Sequence, residues 1–189
     1  MNRFFKLFSL LFLGILLSFT TFNDKKIIVI DAGHGGTDLG ISKNGISEKD
    51  IVLDIAKRIK ALNKNENIDI VLTREFDAAT TLTGRTDLIN KLKPSMVISL
   101  HINNSKNTET TGNVIFAKPE NFDFAKNLAS KFGDCKIEEA NLHLLRNSES
   151  PAMLLELGYL SNEKDRTYLN SEAGKDEISK KVMAFINEH

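Results

Sequence analysis

Short apolar runs alternate along most of the chain with segments of helical periodicity. Five runs are apolar on both faces, which is typical of strands covered by helices on both sides of a sheet, the usual setting of parallel strands. These runs are residues 27–30, 68–72, 96–100, 114–117 and 152–157, and helices are predicted over residues 48–62, 84–92, 121–132 and 174–187. The alternation predicts an α/β fold with a central, mostly parallel sheet and helices on both faces.

The first predicted helix, residues 48–62, has a starting residue that the sequence also predicts. Its isoleucines recur at helical spacing and form one stripe that faces the core. Ser47 and Asp50 have the spacing of a capping box, so Glu48 is expected at the first position of this helix. The last helix, residues 174–187, carries a similar apolar stripe and is expected to close one face of the sheet.

The first 22 residues have a basic start followed by an apolar run from Leu7 to Phe19. This pattern is typical of a secretory signal peptide, because the run is shorter than the roughly 20 residues of a spanning helix. No A-x-A-like cleavage site follows it, so an uncleaved N-terminal anchor stays open as the alternative. We therefore expect residues 1–22 to export the protein to the periplasm or cell envelope, with membrane contact only if this leader is uncleaved.

Composition indicates one globular domain over residues 26–189, since no Pro-, Gly- or Ser-rich linker divides the chain. The chain has 25 basic and 25 acidic residues, a balance that gives no bulk charge for holding a nucleic acid. Cys135 is the only cysteine, so an exported product has no internal disulfide. Its stability must come from its core, with or without a metal.

Residues that an apolar core disfavours stand at or near the ends of three predicted strands. His34 follows the first strand, His101 closes the third, and Glu156 lies within the last. Because ligands bind outside the carboxyl ends of the strands in an open α/β sheet, these side chains are expected at one edge. Burying a carboxylate among Met and Leu side chains costs on the order of several kcal/mol without compensation, which favours a functional role for Glu156.

Two histidines and a carboxylate are the usual ligand types of a catalytic zinc site with an open fourth position. His34, His101, Glu48 and Glu156 supply that set and leave one carboxylate free to act as a base. Each residue alone has a structural explanation; for Glu48 it is the helix dipole, worth roughly 0.3–1 kcal/mol. The spacing is unlike the compact H-E-x-x-H motif, so these residues can meet only through the fold.

The glycines around His34, in IDAGHGGTDLG, fit no nucleotide-binding motif. A dinucleotide fingerprint that starts at Gly33 fails because Asp38 stands where the third glycine belongs, and no Walker lysine follows. A G-x-S-x-G serine elbow is also absent from the sequence. The glycines favour instead a sharp backbone turn that brings His34 to a metal and leaves room for substrate.

The segments IDAGHGGTDLG, VLTREFD, SLHINNS and LLRNSESPAMLLELGYLSNEKD, with Glu48 opening a helix after the first, cover nearly the whole chain from about residue 26. In this order they resemble the motifs of the zinc-dependent N-acetylmuramoyl-L-alanine amidases of the type 3 family. The resemblance implies a catalytic domain with Zn²⁺ as cofactor and peptidoglycan as substrate. It further implies cleavage between N-acetylmuramic acid and L-alanine, for cell-wall turnover or daughter-cell separation.

The resemblance also implies a role for each of the four central residues. His34, Glu48 and His101 would be the zinc ligands, and Glu156 would be the catalytic carboxylate. The sequence departs from the family pattern after His101, where Ile102 replaces a small residue. No wall-binding repeats are found, so substrate recognition would come from the catalytic domain itself or from a protein activator.

Further residues are candidates around this centre. Arg146 is predicted to bind an anionic part of the wall peptide or to brace Glu156, and Asn103 is predicted to bind substrate. Asp31 is predicted to orient a ligand histidine, although an acid at a strand end also caps turns. Arg74 and Arg85 are predicted to hold a loop and a helix in place.

Two other functions are compatible with these residues. Another zinc hydrolase of the wall, such as a peptidase or a sugar deacetylase, would use the same metal and base and release a different product. A wall-binding or regulatory protein that kept the fold would show no metal-dependent turnover. Product identity therefore separates the amidase from the first alternative, and turnover separates it from the second.

Overall fold

The computed structural model describes residues 25–189, and the predicted signal peptide or anchor over residues 1–22 lies outside them. The strands are β1 (Lys26–Ala32), β2 (Ser42–Lys43), β3 (Ile46–Ser47), β4 (Ile68–Leu72), β5 (Met96–Asn103), β6 (Asn113–Ala117), β7 (Cys135–Glu139) and β8 (Ala152–Tyr159). The helices are α1 (Glu48–Leu62), α2 (Leu82–Leu92), α3 (Phe122–Ala129), α4 (His143–Asn147), α5 (Glu163–Asn170) and α6 (Glu172–Asn187), with a 3₁₀ turn at Pro119–Asn121. Within residues 25–189, no helix combines the length and apolar character needed to span a bilayer.

Six of the strands form one sheet in the order β4-β1-β5-β8-β6-β7, and β2 and β3 form a separate hairpin. The strands β4, β1, β5 and β8 run parallel to one another. β6 runs antiparallel to β8, and β7 runs parallel to β6. The predicted α/β fold with a central, mostly parallel sheet is therefore confirmed, and the carboxyl ends of β1, β5 and β8 lie side by side.

Alternate residues of each strand point into two different apolar layers. Ile98 and Leu155 pack with α1 and α6 in the larger layer, which confirms that the last helix closes one face. Val97 and Leu154 pack on the opposite face with α2 and α4, including Ile89. Burying each such side chain stabilises the fold by roughly 1.5–3 kcal/mol. Because strand side chains alternate, Ser99 and His101, two and four positions after Val97, also face the side of the smaller layer.

The first residue of α1 is Glu48, as predicted, but the predicted capping box is wrong in its standard form. The Ser47 hydroxyl bonds the Asp50 carboxylate and makes no bond to a helix amide. The amide of Glu48 donates instead to the carbonyl of Ile41 at 2.8 Å. The loop between β1 and α1 therefore caps the helix, and this contact ties the start of α1 to the segment that carries His34.

The sequence analysis missed the hairpin of β2 and β3, the edge strand β7 and the short helices α4 and α5. The hairpin of β2 and β3 turns at Asn44 and Gly45, which both have positive φ (53° and 75°), as a tight two-residue hairpin turn requires. The edge strand β7 has mostly exposed side chains, and α5 buries only Leu169. The Asn-Gly pair was a usable hairpin signal, whereas the positions of β7 and α5 depend on their tertiary neighbours.

Candidate metal centre and active site

His34, Glu48 and His101 come together at the carboxyl edge of β1 and β5. Each residue offers one ligand atom, and these three atoms lie within 4.8 Å of one another. The two imidazole rings are nearly perpendicular, with centroids 4.9 Å apart and an interplanar angle of 80°. Nε2 of His34 lies 3.1 Å, and Nδ1 of His101 lies 2.9 Å, from the same oxygen of Glu48, Oε1.

The Glu48 side chain is held in place on both of its oxygens. Oε1 accepts a bond from the amide of Ile102, and Oε2 accepts one from the amide of Ile41, each at 2.9 Å. Burial raises the pKa of Glu48, but the hydrogen bonds from the two histidines outweigh it and lower the pKa to about 2. Glu48 is therefore a fixed anion. The Ile102 side chain, the departure from the family pattern, lies in the core and contributes only its amide here.

His34 is placed by an unusual backbone conformation. Its φ is 59°, in the left-handed region that non-glycine residues rarely adopt. Its carbonyl accepts a hydrogen bond from the Arg85 guanidinium, and its Nδ1 lies 2.8 Å from Oδ2 of Asp38. The hydrogen bond to Glu48 is the largest reason that the pKa of His34 is raised, to about 9. The sequence analysis did not predict the role of Asp38, an acid four residues after His34 in the same loop.

Two glycines make room for these side chains. A Cβ on Gly33 would overlap the imidazole of His101. A Cβ on Gly40 would lie 2.5 Å from Oε2 of Glu48 and 2.7 Å from the ring of His34, and Gly40 also has a positive φ of 62°. The prediction that glycines allow a sharp turn and close approach around His34 agrees with this geometry.

Glu156 lies beside the three residues on the neighbouring strand β8, where it pairs in register with His101 of β5. Its Oε2 is buried and has no hydrogen-bond partner within residues 25–189. Burial is the main cause that raises the pKa of Glu156 to about 7. A carboxyl group with a pKa near neutrality and a free oxygen can accept and return a proton in one catalytic cycle.

Asp31 makes no hydrogen bond to a histidine ring among the described residues, so its predicted part in orienting a ligand histidine stays a prediction. Asp31 is buried, and its carboxylate accepts bonds from the hydroxyls of Thr73 and Ser99 and from Arg85, each at 2.6 Å. Burial raises the pKa of Asp31, but the charge of Arg85 and the hydrogen bonds outweigh it, so the net pKa is lowered. Asp31 contacts His34 indirectly, because the Arg85 guanidinium that binds its carboxylate also binds the carbonyl of His34.

Among the described residues, neither Arg146 nor Asn103 hydrogen-bonds to the central carboxylates. Arg146 is exposed on α4 and donates to the carbonyl and side chain of Asn141 at 3.3 and 3.2 Å. The prediction that Arg146 braces Glu156 is therefore wrong, because its guanidinium is engaged elsewhere. Asn103 ends β5, and its side-chain oxygen accepts a bond from the amide of Asn104. Substrate binding by either residue stays a prediction.

Arg74 and Arg85 hold the framework of the site, as predicted. The buried Arg74 guanidinium donates to the carbonyls of Ala32, Gly33 and Lys49 at 2.8–2.9 Å. It thereby joins the end of β1 to the first turn of α1. Arg85 joins α2 to the same segment through its bonds to Asp31 and to the carbonyl of His34.

The donor set fits a divalent metal ion. Two imidazoles and one carboxylate are common zinc ligands. Among the described residues, Glu48 forms no ion pair with Lys or Arg, and its side-chain partners are the two histidines. The residues at this site therefore have the chemistry of a metal centre, with Glu156 beside it.

Comparisons with known proteins agree with this site and fold. The family model described as "N-acetylmuramoyl-L-alanine amidase" matches residues 28–188. The catalytic domain of CwlV, an N-acetylmuramoyl-L-alanine amidase from Bacillus (Paenibacillus) polymyxa var. colistinus, is 30% identical, with a TM-score of 0.83 over 86% of this chain and 97% of that one. The CwlD amidase from Clostridioides difficile, in complex with the GerS lipoprotein, has a TM-score of 0.80 at 26% identity over 87% of this chain and 98% of that one.

The amidase CwlM of Bacillus licheniformis is 34% identical over 155 residues, which are 77% of this chain and 61% of CwlM. The described fold is thus that of an amidase catalytic domain. Because the family model covers most of the chain, this protein belongs to the type 3 family of N-acetylmuramoyl-L-alanine amidases. It is an amidase, although it spans only about three-fifths of the length of CwlM.

The network behind His34 gives a stability prediction. Asp31→Asn should lower the free energy of unfolding by about 3–5 kcal/mol, because it leaves the buried Arg85 guanidinium without a charged partner. Urea denaturation measures this change. Asp69→Asn, on the exposed side of β4, is the matched control and should change stability by less than about 0.5 kcal/mol. Equal stability of the two variants would contradict the importance of the buried pair.

The close approach at Gly33 gives a second prediction. Gly33→Ala should displace the His101 imidazole and break its contact with Glu48, since the added methyl group overlaps that ring. NMR signals of the His101 ring should shift, while those of the distant His189 ring stay in place. Gly84→Ala is the control, because its methyl group would meet only the Thr81 hydroxyl, at 3.0 Å. An unshifted His101 ring in Gly33→Ala would contradict the packing.

Proposed function

We propose that this protein is a zinc-dependent amidase that hydrolyses the bond between N-acetylmuramic acid and L-alanine in peptidoglycan. The observation that carries the proposal is the convergence of His34, Glu48 and His101, beside Oε2 of Glu156, which has no partner within residues 25–189. Family membership supports the substrate and the bond. The donor set supports zinc as the ion.

In the proposed mechanism, His34, Glu48 and His101 would hold the zinc ion, which would supply Lewis-acid polarisation of the substrate carbonyl and a lowered pKa of the attacking water. Glu156 takes a proton from that water through Oε2 and later delivers it to the leaving amine of L-alanine. Burial of Glu156, which raises its pKa to about 7, suits both directions of transfer at neutral pH.

The surrounding residues hold the proposed ligand side chains in position. Amides of Ile41 and Ile102 fix both oxygens of Glu48, and Asp38 fixes the ring of His34. Since the partners of a ligating side chain orient it and tune its affinity, these contacts support a preformed site. Preformed geometry reduces the reorganisation needed when the ion and the substrate bind.

The proposed setting is outside the cytoplasm, in the periplasm or cell envelope, where the enzyme would act in wall turnover or daughter-cell separation. The leader-like sequence of residues 1–22 supports this location. A protein activator is proposed as a partner alongside peptidoglycan. The complex of the related CwlD amidase with the GerS lipoprotein supports a search for one.

Product analysis tests the proposed reaction. The chain from residue 23 onward, incubated with purified peptidoglycan and zinc, should release stem peptides with a free L-alanine amino terminus, as detected by mass spectrometry. A zinc chelator should abolish this release, and added zinc should restore it, because the metal centre is required.

Other products would contradict the proposal in different ways. Peptides cut internally would indicate a peptidase, and deacetylated sugars would indicate a deacetylase. Absence of any product with intact zinc binding, also after addition of cell-envelope extract as a source of activator, would indicate a binding protein.

Substitutions at the site distinguish the role of the catalytic base from that of the metal ligands. Glu156→Gln should keep its zinc and lose about 10²- to 10⁴-fold in turnover, because the proton acceptor is removed. His101→Ala should lose zinc as well as activity. Metal content by elemental analysis and the rate of L-alanine amine release measure the two effects.

The matched controls are Glu139→Gln, on the exposed edge strand β7, and His189→Ala at the end of the chain. Both should resemble the unaltered protein in zinc content and rate. Near-normal turnover of Glu156→Gln would rule out this residue as the base, and full zinc occupancy in His101→Ala would rule out ligation by His101.

A further inference from the structure

Among residues 25–189, two buried side-chain polar atoms have no hydrogen-bond partner, Oε2 of Glu156 and Nε2 of His143. Buried polar groups are bonded in nearly all cases, so each exception calls for an explanation. Glu156 has one in the proposed reaction. His143, in the first turn of the short helix α4, has no part in that reaction as described so far.

His143 lies in the wall of a cavity of about 430 Å³ that opens directly beside His34 and His101. The volume falls within the range of small-molecule sites, about 300–1,000 Å³. Leu154 lies in the same wall, two residues before Glu156 on the same face of β8. The cavity is therefore continuous with the catalytic edge on the side of α2 and α4.

The rest of the wall is largely apolar. Leu82, Leu142 and Leu144 line it together with Leu154. Leu82 and Leu142 are among the few large apolar side chains that stay exposed in the described chain, at 61% and 36%. Exposed leucines that line one concave surface next to an active site indicate a place for the apolar part of a ligand.

Apart from His143, the ionisable groups that line the cavity already have partners. Asp31 binds Arg85 at the bottom of the cavity, and His34 binds Asp38 and Glu48. His101 also binds Glu48. Among residues 25–189 no lysine lines the cavity and Arg85 is paired, so apart from the proposed zinc ion its side chains offer no free cation to a carboxylate. The cavity is suited to an uncharged group that combines apolar surface with a hydrogen-bonding atom.

We propose that this cavity binds the uncharged lactyl–L-alanine segment of the substrate and that His143 is a substrate-binding residue that hydrogen-bonds to it. The inference rests on the proposed function and deepens it by placing the substrate. The methyl groups on either side of the scissile amide contact the leucine wall. A ring nitrogen of His143 bonds an amide or ether group of that segment. Nε2 is buried in the structure, so this bond requires a turn about χ2, a broad torsion in histidine, that exposes the nitrogen to the cavity.

His143→Phe tests this role, because it keeps an aromatic ring and removes the unsatisfied nitrogen. The melting temperature should be unchanged or higher, since a buried polar atom without a partner destabilises the fold. The value of kcat/KM on a soluble muropeptide should fall about tenfold, as for loss of one hydrogen bond. If His143 had only a structural role, His143→Phe would not lower kcat/KM while leaving the melting temperature unchanged or higher.

Binding can be measured without turnover. In the Glu156→Gln background, calorimetry with N-acetylmuramoyl-L-alanyl-D-isoglutamine should give a Kd about tenfold weaker when His143→Phe is added. His143→Gln, which keeps a hydrogen-bonding group, should recover part of the affinity. Leu82→Ser, at an exposed position, should weaken binding through loss of apolar contact. His189→Phe is the control and should leave Kd unchanged.

The outcomes distinguish this inference from the proposed function. Unchanged Kd in both His143→Phe and Leu82→Ser would overturn the placement of the substrate, even with amidase activity intact. Unchanged melting temperature with tenfold weaker binding would support it. A protein that binds the muramoyl dipeptide through His143 but releases no L-alanine amine would instead overturn the proposed reaction.

Discussion

The burial of one carboxylate, that of Glu48, is the constraint on which the rest of the site depends. An ionised group removed from water needs several hydrogen bonds or opposite charges to be tolerated. Glu48 obtains them from two histidines and two backbone amides, which belong to the loop after β1 and to β5. These contacts fix where α1 begins relative to the sheet edge. The same geometry offers three ligand atoms to one ion.

Two buried arginines, Arg85 and Arg74, also stabilise this arrangement. Arg85 of α2 binds both the Asp31 carboxylate and the carbonyl of His34. Arg74 bonds three carbonyls at the junction of β1 and α1. The guanidinium group is suited to this task because its donors point in fixed directions within one plane. The left-handed backbone of His34 is thus held by neighbours on two sides of the loop.

Local conflicts in the structure concentrate at the same sheet edge. His34 has a positive φ, and Glu156 and His143 each bury a polar atom without a partner within residues 25–189. The two apolar layers below consist mainly of aliphatic side chains at or near full burial. Folded domains often place strained or unsatisfied groups where a ligand will use them, and the well-packed layers offset the cost. This distribution separates the part of the molecule that provides stability from the part that provides chemistry.

The sequence by itself determined the fold class, the five main strands, four of the helices and the family. Those features depend on apolar periodicity and on ordered motifs, which are local along the chain. It also marked His34, Glu48, His101 and Glu156 as candidates. Only the tertiary structure decided that the first three meet, because their side chains come from a loop, a helix and a strand that are far apart in sequence.

The tertiary structure also assigned the supporting residues, and here sequence reasoning was least reliable. Asp31 bonds Arg85, and Arg146 bonds Asn141 and not Glu156; sequence reasoning could not specify these partners, since a hydrogen-bond partner depends on which elements pack together. Asp38 and His143 carried no signal strong enough to single them out. Their roles follow from proximity in space: Asp38 contacts His34, and His143 lines a cavity formed by two helices and the sheet. Periodicity records which side of an element is buried, but not which polar group it will face.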